Sequence, residues 1–287
     1  MIYIVANKTA GHGAAAAVLD NVRAYLNEKK VQFIVGETQA PFHATELAAQ
    51  AVSNGAKCVF ALGGDGTVRE VAEGMKGSSV PMGIIPAGTG NDISKAVNLP
   101  GRPIEALQAG LDGTARRVDL GMINDLSFVN IVGTGFDVNS LRWTLKFKKM
   151  MRGLLPYLIG GLLAIITHKN IDVKLTIDGL ERRLPIMMIS VANGKCFGGG
   201  MKVAPDAELD DGLFDVVIVH PVPRWKIPLL LPKFISGKVK TIKYAETLRC
   251  KEAIIEREGQ YMNVDGELIP MDRAHIRILP SEIWMQY

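Results

Sequence analysis

The chain has 287 residues and a mass of 31.1 kDa, enough for two domains with a core each. Apolar residues make up 48% and charged residues 22%, which excludes a globally disordered chain. A net charge of +4 and a pI of about 8.9 are too weakly basic to point to nucleic acid as a partner.

Residues 1–6 read as a first strand with no basic region ahead of them, the opening of a domain and not a signal peptide. A polar glycine turn follows, Asn7-Lys8-Thr9-Ala10-Gly11-His12-Gly13. The spacing then predicts a helix over Ala14–Lys30, with Ala17, Leu19, Val22 and Leu26 among its buried residues. A strand over Val31–Val35 and a helix over Ala44–Val52 come next. Gly11-His12-Gly13-Ala14-Ala15-Ala16 fits a dinucleotide GxGxxA turn, with Glu37 as its ribose ligand. Such a turn, however, puts its first glycine directly after the strand, whereas four residues separate Ala6 from Gly11.

The most informative stretch runs from Cys58 to Asp92. Cys58–Leu62 is a short apolar run of buried-strand type, followed by Gly63-Gly64-Asp65-Gly66-Thr67. Val68, Val71, Ala72 and Met75 then recur at helical spacing. A second strand, Met82–Ile85, runs into Pro86-Ala87-Gly88-Thr89-Gly90-Asn91-Asp92. Two strands therefore each end in a glycine-rich turn that carries one acid. Glycine lets backbone N–H groups come close to a polyanion, and a helix N-terminus just beyond favours negative charge. An acid in that position repels phosphate unless a divalent cation lies between them, as Mg²⁺ does in phosphoryl transfer. Read locally, the same residues allow two left-handed turns, with Asp92 as the N-cap of the next helix.

A helix over Pro103–Gly110 and a strand over Thr114–Leu120 close this part. Asp119, in Arg116-Arg117-Val118-Asp119, also suits a surface ion pair. Strands alternating with helices argue for a mostly parallel α/β sheet. Beyond Leu120 the texture changes to short runs rich in Val, Ile, Phe and Thr: Phe128–Val132, Asp172–Ile177, Ile186–Ala192, Phe214–Val219 and His275–Leu279. These predict an all-β second domain, a sandwich or barrel. Asp265-Gly266 between apolar runs is a strong hairpin signal of type I′.

Gly63-Gly64-Asp65-Gly66-Thr67 with Glu70, followed by Ile85-Pro86-Ala87-Gly88-Thr89-Gly90-Asn91-Asp92, resembles the nucleotide site of the diacylglycerol kinase and sphingosine kinase family. Three further stretches carry the same resemblance. They are Phe128-Val129-Asn130 with Gly133–Asp137, Val191-Ala192-Asn193-Gly194 with Gly198-Gly199-Gly200, and Ala204-Pro205-Asp206-Ala207 running on to Asp215. Lys8 departs from the family pattern, which has proline there.

The resemblance implies an ATP- and Mg²⁺-dependent lipid kinase. Its fold would be a doubly wound α/β nucleotide-binding domain over 1–119 and a β-sandwich-like acceptor domain over 120–274, with a tail over 275–287 returning to the first. Nucleotide contacts fall on Asn7, Lys8, Thr9, Ala10, Gly11, Thr38, Gly63, Gly64, Asp65, Gly66, Thr67, Glu70, Gly88, Thr89, Asn91, Asp92 and Asp119. Asp65, Asp92 and Asp119 would hold the catalytic Mg²⁺, partly through water. Glu267 or Asp265 would be the general base, and Asp65 joins them as the catalytic set. A structural Mg²⁺ would sit on Asp211 with the carbonyls of Glu208 and Leu213, where the local reading is a hairpin without metal. Diacylglycerol, giving phosphatidic acid, is the first acceptor, and a sphingoid base or another lipid alcohol the alternative. A regulatory protein that binds lipid or nucleotide without catalysis is the rival of another class, and the intact acids argue against it.

No HExxH and no Walker A pattern is found. Cys58, Cys196 and Cys250 have no CxxC spacing and point to a reducing cytoplasm. Gly153–Thr167 is strongly apolar, but as a helix it reaches only about 22 Å, short of a ~30 Å hydrocarbon core. Trp143, Lys146, Phe147, Lys148, Lys149, Met150, Met151 and Arg152 before it, with Arg224-Trp225-Lys226 and Leu229-Leu230-Leu231, suit peripheral contact with an anionic membrane. A core or homodimer helix with a solvated basic end is the other use of the apolar part.

Overall fold

The computed structural model describes residues 1–148, 150–151 and 155–287, with Tyr157 by its backbone alone. Lys149, Arg152 and Gly153, singled out in the sequence, lie outside the described residues. The chain forms two compact units, Met1–Leu120 with Leu279–Tyr287, and Gly121–Ile278.

The first unit is built on parallel strands β1 (Ile2–Ala6), β2 (Phe33–Glu37), β3 (Cys58–Gly63) and β4 (Met82–Pro86), in the spatial order β2-β1-β3-β4. Helices α1 (Ala14–Glu28), α2 (His43–Ser53), α3 (Asp65–Gly74), α4 (Asp92–Ala96) and α5 (Pro103–Asp112) fill the crossovers. Every residue of β3 and β4 is buried, as expected of central parallel strands covered on both faces. α1 buries Ala15, Leu19, Val22 and Leu26, a stripe at helical spacing. Ala17, expected among them, is exposed, because it lies half a turn from that stripe. β2 begins two residues later than the sequence suggested.

The chain passes into the second unit within β5 (Ala115–Ile123) and returns within the last strand. In this unit β6 (Leu126–Phe128) pairs back on the end of β5. β7 (Ile131–Gly135) leads into α6 (Phe136–Lys148) and α7 (Leu155–Thr167), followed by β8 (Ile171–Ile177), β9 (Leu180–Ile186), β10 (Met188–Ala192) and β11 (Phe214–Val219). α8 (Ile227–Ile235), β12 (Ala245–Cys250), β13 (Glu252–Glu256), β14 (Tyr261–Val264), β15 (Glu267–Pro270) and β16 (Arg273–Gln286) complete the chain. One antiparallel sheet has the order β12-β11-β10-β7-β14-β15; the other runs β16-β13-β8-β9. Phe128, Val191, Phe214, Ile255 and Ile276 fill the core between them, with the Phe128 and Phe214 rings stacked at 5.5 Å. α6, α7 and α8 close over the other face of the first sheet, where Phe136, Ala164, Met188, Ile227 and Phe234 are buried.

Two predicted strands are in fact broken, each for a physical reason. The run Phe128–Val132 splits because the N–H groups of Val129, Asn130 and Ile131 turn to one carboxylate, that of Asp265. The run Ile186–Ala192 splits at Met187, where the chain changes from one sheet to the other.

Candidate active site

In the first unit three turns converge at the carboxyl ends of β1, β3 and β4, where open α/β sheets place ligands. A Cβ on Gly88 would lie 2.5 Å from the Gly64 Cα, and one on Gly11 would lie 2.5 Å from the Ala87 carbonyl oxygen. No side chain fits at those positions, so the backbones of all three turns come together bare. Asn7 joins the first turn to the second by donating Nδ2–H to Thr67 Oγ1 at 3.2 Å, while its Oδ1 accepts from Thr9 N and Oγ1. Asn91 closes the third turn: its Oδ1 accepts from Gly88 N at 2.9 Å and its Nδ2 donates to Gly88 O. Thr38 follows β2 and is held by its N–H to Ala6 O, and Thr89 is exposed at the tip of the third turn.

The acids here have structural partners as well. Asp65 Oδ1 accepts from Ile93 N at 3.0 Å and so caps α4 across 28 residues of chain. The residue at the N-cap position is Asn91, in the left-handed region at φ 51°, and Asp92 is the first helical residue, which corrects the cap reading for Asp92. Asp119 is 1% exposed and its Oδ1 accepts from Ser281 N at 2.7 Å; burial overturns the surface ion-pair reading. Glu70 Oε2 accepts from Ala44 N at the start of α2. Lys8, where the resemblance expects proline, pairs with Glu37 at 2.6 Å, and Arg23 reaches Glu37 at 3.0 Å. Lys8 above all holds the Glu37 carboxyl below the ordinary carboxylate range, against the opposing effect of burial and with help from Arg23. Glu37, the rival ribose ligand, is thus already occupied.

Among the described residues no three His, Cys, Asp or Glu side chains come close enough to form a metal site unaided. The bare cradle fits a triphosphate, and a cation there would draw its remaining oxygens from phosphate and water, as Mg²⁺ commonly does.

In the second unit Asp265 (φ 46°) and Gly266 (φ 90°) are the left-handed centre of the β14–β15 hairpin, a type I′ turn. The Asp265 carboxylate accepts from Val129 N at 2.7 Å, Ile131 N at 2.9 Å and Asn130 N at 3.1 Å. Both of its oxygens are engaged by backbone, which suits an anchor more than a proton acceptor. Glu267 follows at the start of β15, partly exposed. In the acidic turn, Asp211 Oδ1 accepts from Leu213 N at 3.1 Å and Oδ2 faces the Arg249 guanidinium. Glu208 is exposed beside it.

An apolar pocket of about 490 Å³, counting its open mouth, also lies in this unit, lined by Met187, Met188, Met201, Leu230, Leu231 and Phe234 among others. Asp137, in the first turn of α6, is part of its wall and 4% exposed. Its Oδ2 accepts weakly from Asn263 Nδ2 at 3.4 Å, and its Oδ1 has no hydrogen-bond partner. Burial pushes its carboxyl up from 3.8 to about 7, with the Val138 N–H and Asn263 pulling the other way. Sequence reasoning placed Asp137 within a matching stretch but gave it no role. The signal was there: a lone acid among apolar residues, directly after a Gly-Phe step.

Glycine turns at the strand ends of an α/β unit, with a sandwich unit carrying an apolar pocket and a buried acid, define the class of lipid kinases. Comparison with known proteins makes the assignment definite. Residues 1–123 match the diacylglycerol kinase catalytic domain, and residues 130–286 match the YegS C-terminal NAD kinase beta sandwich-like domain. The chain belongs to the diacylglycerol kinase and YegS-like lipid kinase family and is an enzyme of that class. A probable lipid kinase YegS-like of Chromohalobacter salexigens is 34% identical over 83% of this chain and 78% of its own length. A diacylglycerol kinase of Mycobacterium tuberculosis is 29% identical over 96% of this chain and 92% of its own. In fold, the chain is similar to a diacylglycerol kinase structure from Bacillus anthracis str. Sterne. The TM-score is 0.73 at 21% identity, covering 100% of this chain and 96% of that one.

Proposed function

We propose that this enzyme transfers the γ-phosphoryl group of ATP, with Mg²⁺, to the hydroxyl of a lipid alcohol, diacylglycerol first, giving phosphatidic acid. The observation that carries the reading is the approach of Gly64 to Gly88 and of Gly11 to Ala87, too close for any Cβ. Such a cradle offers backbone N–H groups to phosphate oxygens at no steric cost. The nucleotide would be held by residues 7–11, Thr38, residues 63–67, Glu70, Gly88, Thr89 and Asn91. Magnesium, when bound near Asp65, Asp92 and Asp119, would neutralise phosphate charge.

In the second unit Asp265 fixes the hairpin, and Glu267, two residues on, takes the acceptor hydroxyl's proton as attack develops. The methionine- and leucine-lined pocket suits an acyl chain. A sphingoid base is the second reading, because the buried Asp137 could pair with its ammonium group. A cation at the acidic turn would use Asp211 with the carbonyls of Glu208 and Leu213.

The test is a screen of lipid alcohols with radiolabelled ATP, with and without Mg²⁺, using Asp65→Ala as control. Label in phosphatidic acid supports the reading. Label in no lipid at any metal concentration, together with nicotinamide binding, would replace it.

A further inference from the structure

The helices over the outer face of the second unit present apolar surface to water in a definite pattern. On α7 the residues Pro156, Gly160 and Ala164 face inward, and Gly160 packs so closely on α6 that a Cβ there would lie 2.3 Å from Thr144 Oγ1. That contact fixes which side of α7 points out. Leu155, Leu158, Leu162 and Ile166 then form one outward stripe at helical spacing, exposed by 50, 62, 59 and 58%. α7 carries no charged residue. Arg224 donates to the carbonyl of His168 at 2.8 Å, tying the end of α7 to the turn that opens α8. Beyond that tie Trp225, 70% exposed, and Leu229, 65% exposed, continue the apolar surface. Lys226 lies 5.1 Å from the centroid of the Trp225 ring.

The two chain stretches that form this surface are basic in composition. Stretches 141–169 and 220–244 hold six Lys or Arg each, out of 33 in the chain, and no Asp or Glu; from outside them, Asp206 pairs with Lys240 at 2.8 Å. α7, α8 and the residues flanking them within these stretches therefore carry bases and no acid of their own.

We propose that this face docks on an anionic lipid bilayer. The α7 stripe and the Trp225–Leu229 corner enter the headgroup region, and the basic residues meet lipid phosphates. A second copy of the chain is the poorer occupant. A two-fold interface places the same patch on both sides, so bases would meet bases with no acid of either stretch to pair them. An uncharged stripe with a basic fringe and an interfacial tryptophan complements lipid instead. Leu230 and Leu231, next to Leu229 on α8, line the apolar pocket, so docking would bring that pocket to the lipid. This deepens the lipid-kinase reading and rests on it for its purpose, though the docking itself needs no catalysis.

The experiment is co-sedimentation of the full chain, without ATP, with vesicles of phosphatidylcholine alone or mixed with phosphatidylglycerol. Binding is expected to the mixed vesicles and to weaken in about 0.5 M salt. The triple variant Leu158→Gln, Leu162→Gln, Ile166→Gln, at exposed positions, should keep its melting temperature and bind at least about tenfold less. Phosphorylation of a short-chain, water-soluble diacylglycerol should not change in that variant. Failure of the parent protein to bind phosphatidylglycerol vesicles overturns the proposal. So does equal binding by the triple variant, or a change from dimer to monomer in sedimentation velocity with vesicle binding intact. Absence of turnover on the short-chain acceptor would instead strike at the kinase reading and leave the vesicle result standing.

Discussion

Asp65 accepts the backbone N–H of Ile93 at 3.0 Å, so the acid of one glycine turn closes the helix that follows the other. The same carboxylate is a proposed Mg²⁺ contact, and a substitution can separate the two duties. Asp65→Asn keeps an oxygen for Ile93 and should hold stability within about 0.5 kcal/mol, while phosphoryl transfer falls by two orders of magnitude or more. Asp65→Ala should lose the same activity and about 1–2 kcal/mol besides. Urea unfolding beside an ATP turnover assay reads both, and full turnover in the asparagine variant would remove Asp65 from the chemistry.

The carboxylates of the β14–β15 hairpin should divide in the opposite way. Asp265 holds three backbone N–H groups, so Asp265→Asn sets an amide against donors and should cost on the order of 2–4 kcal/mol. Glu267→Gln should leave stability almost unchanged, leave nucleotide binding intact, and slow phosphoryl transfer roughly 10²–10⁴-fold. Calorimetric binding of a nonhydrolysable ATP analogue separates binding from transfer. Turnover equal to the parent would dismiss Glu267 as the base.

Asp137 makes stability depend on pH. Its folded carboxyl titrates near 7, above its ordinary 3.8, so the unfolded chain ionises first. Below about pH 4 both states are protonated and the residue contributes nothing. Between about 4 and 7 the unfolded state is increasingly favoured, by a few kcal/mol in all, and above 7 the loss levels off. Relative to Asp137→Asn, the parent protein should lose stability over that window and over no other. Urea unfolding at half-unit pH steps gives the difference curve; a flat curve would mean that the buried acid stays ionised in the fold.

At the acidic turn, Arg249 faces Asp211 where a cation would bind. A guanidinium and a divalent ion compete for one carboxylate, so Arg249→Ala should strengthen the effect of Mg²⁺ on the melting temperature. Asp211→Ala should abolish that effect. Melting curves in Mg²⁺ and in EDTA check this for all three proteins, and identical curves throughout would leave Arg249 as the counter-ion of Asp211 in place of a metal.

Much of the fold was legible because local chemistry constrains it. The all-buried run Cys58–Leu62, the glycine turns after it and the Asp265-Gly266 hairpin announce themselves, since strand burial and left-handed φ restrict the residues allowed. The breaks after Phe128 and at Met187 were invisible. Each is imposed by a partner more than a hundred residues away or by a change of sheet, and no local pattern records either. Sequence alone determined the glycine cradle, the set of candidate acids and the lipid-kinase resemblance. Only the tertiary structure decided that Asp265 is committed to backbone, that Asp119 is buried under Ser281, and that Asp137 stands in an apolar wall. A carboxylate's role depends on which donors and how much water surround it, and those neighbours are brought by folding from distant parts of the chain.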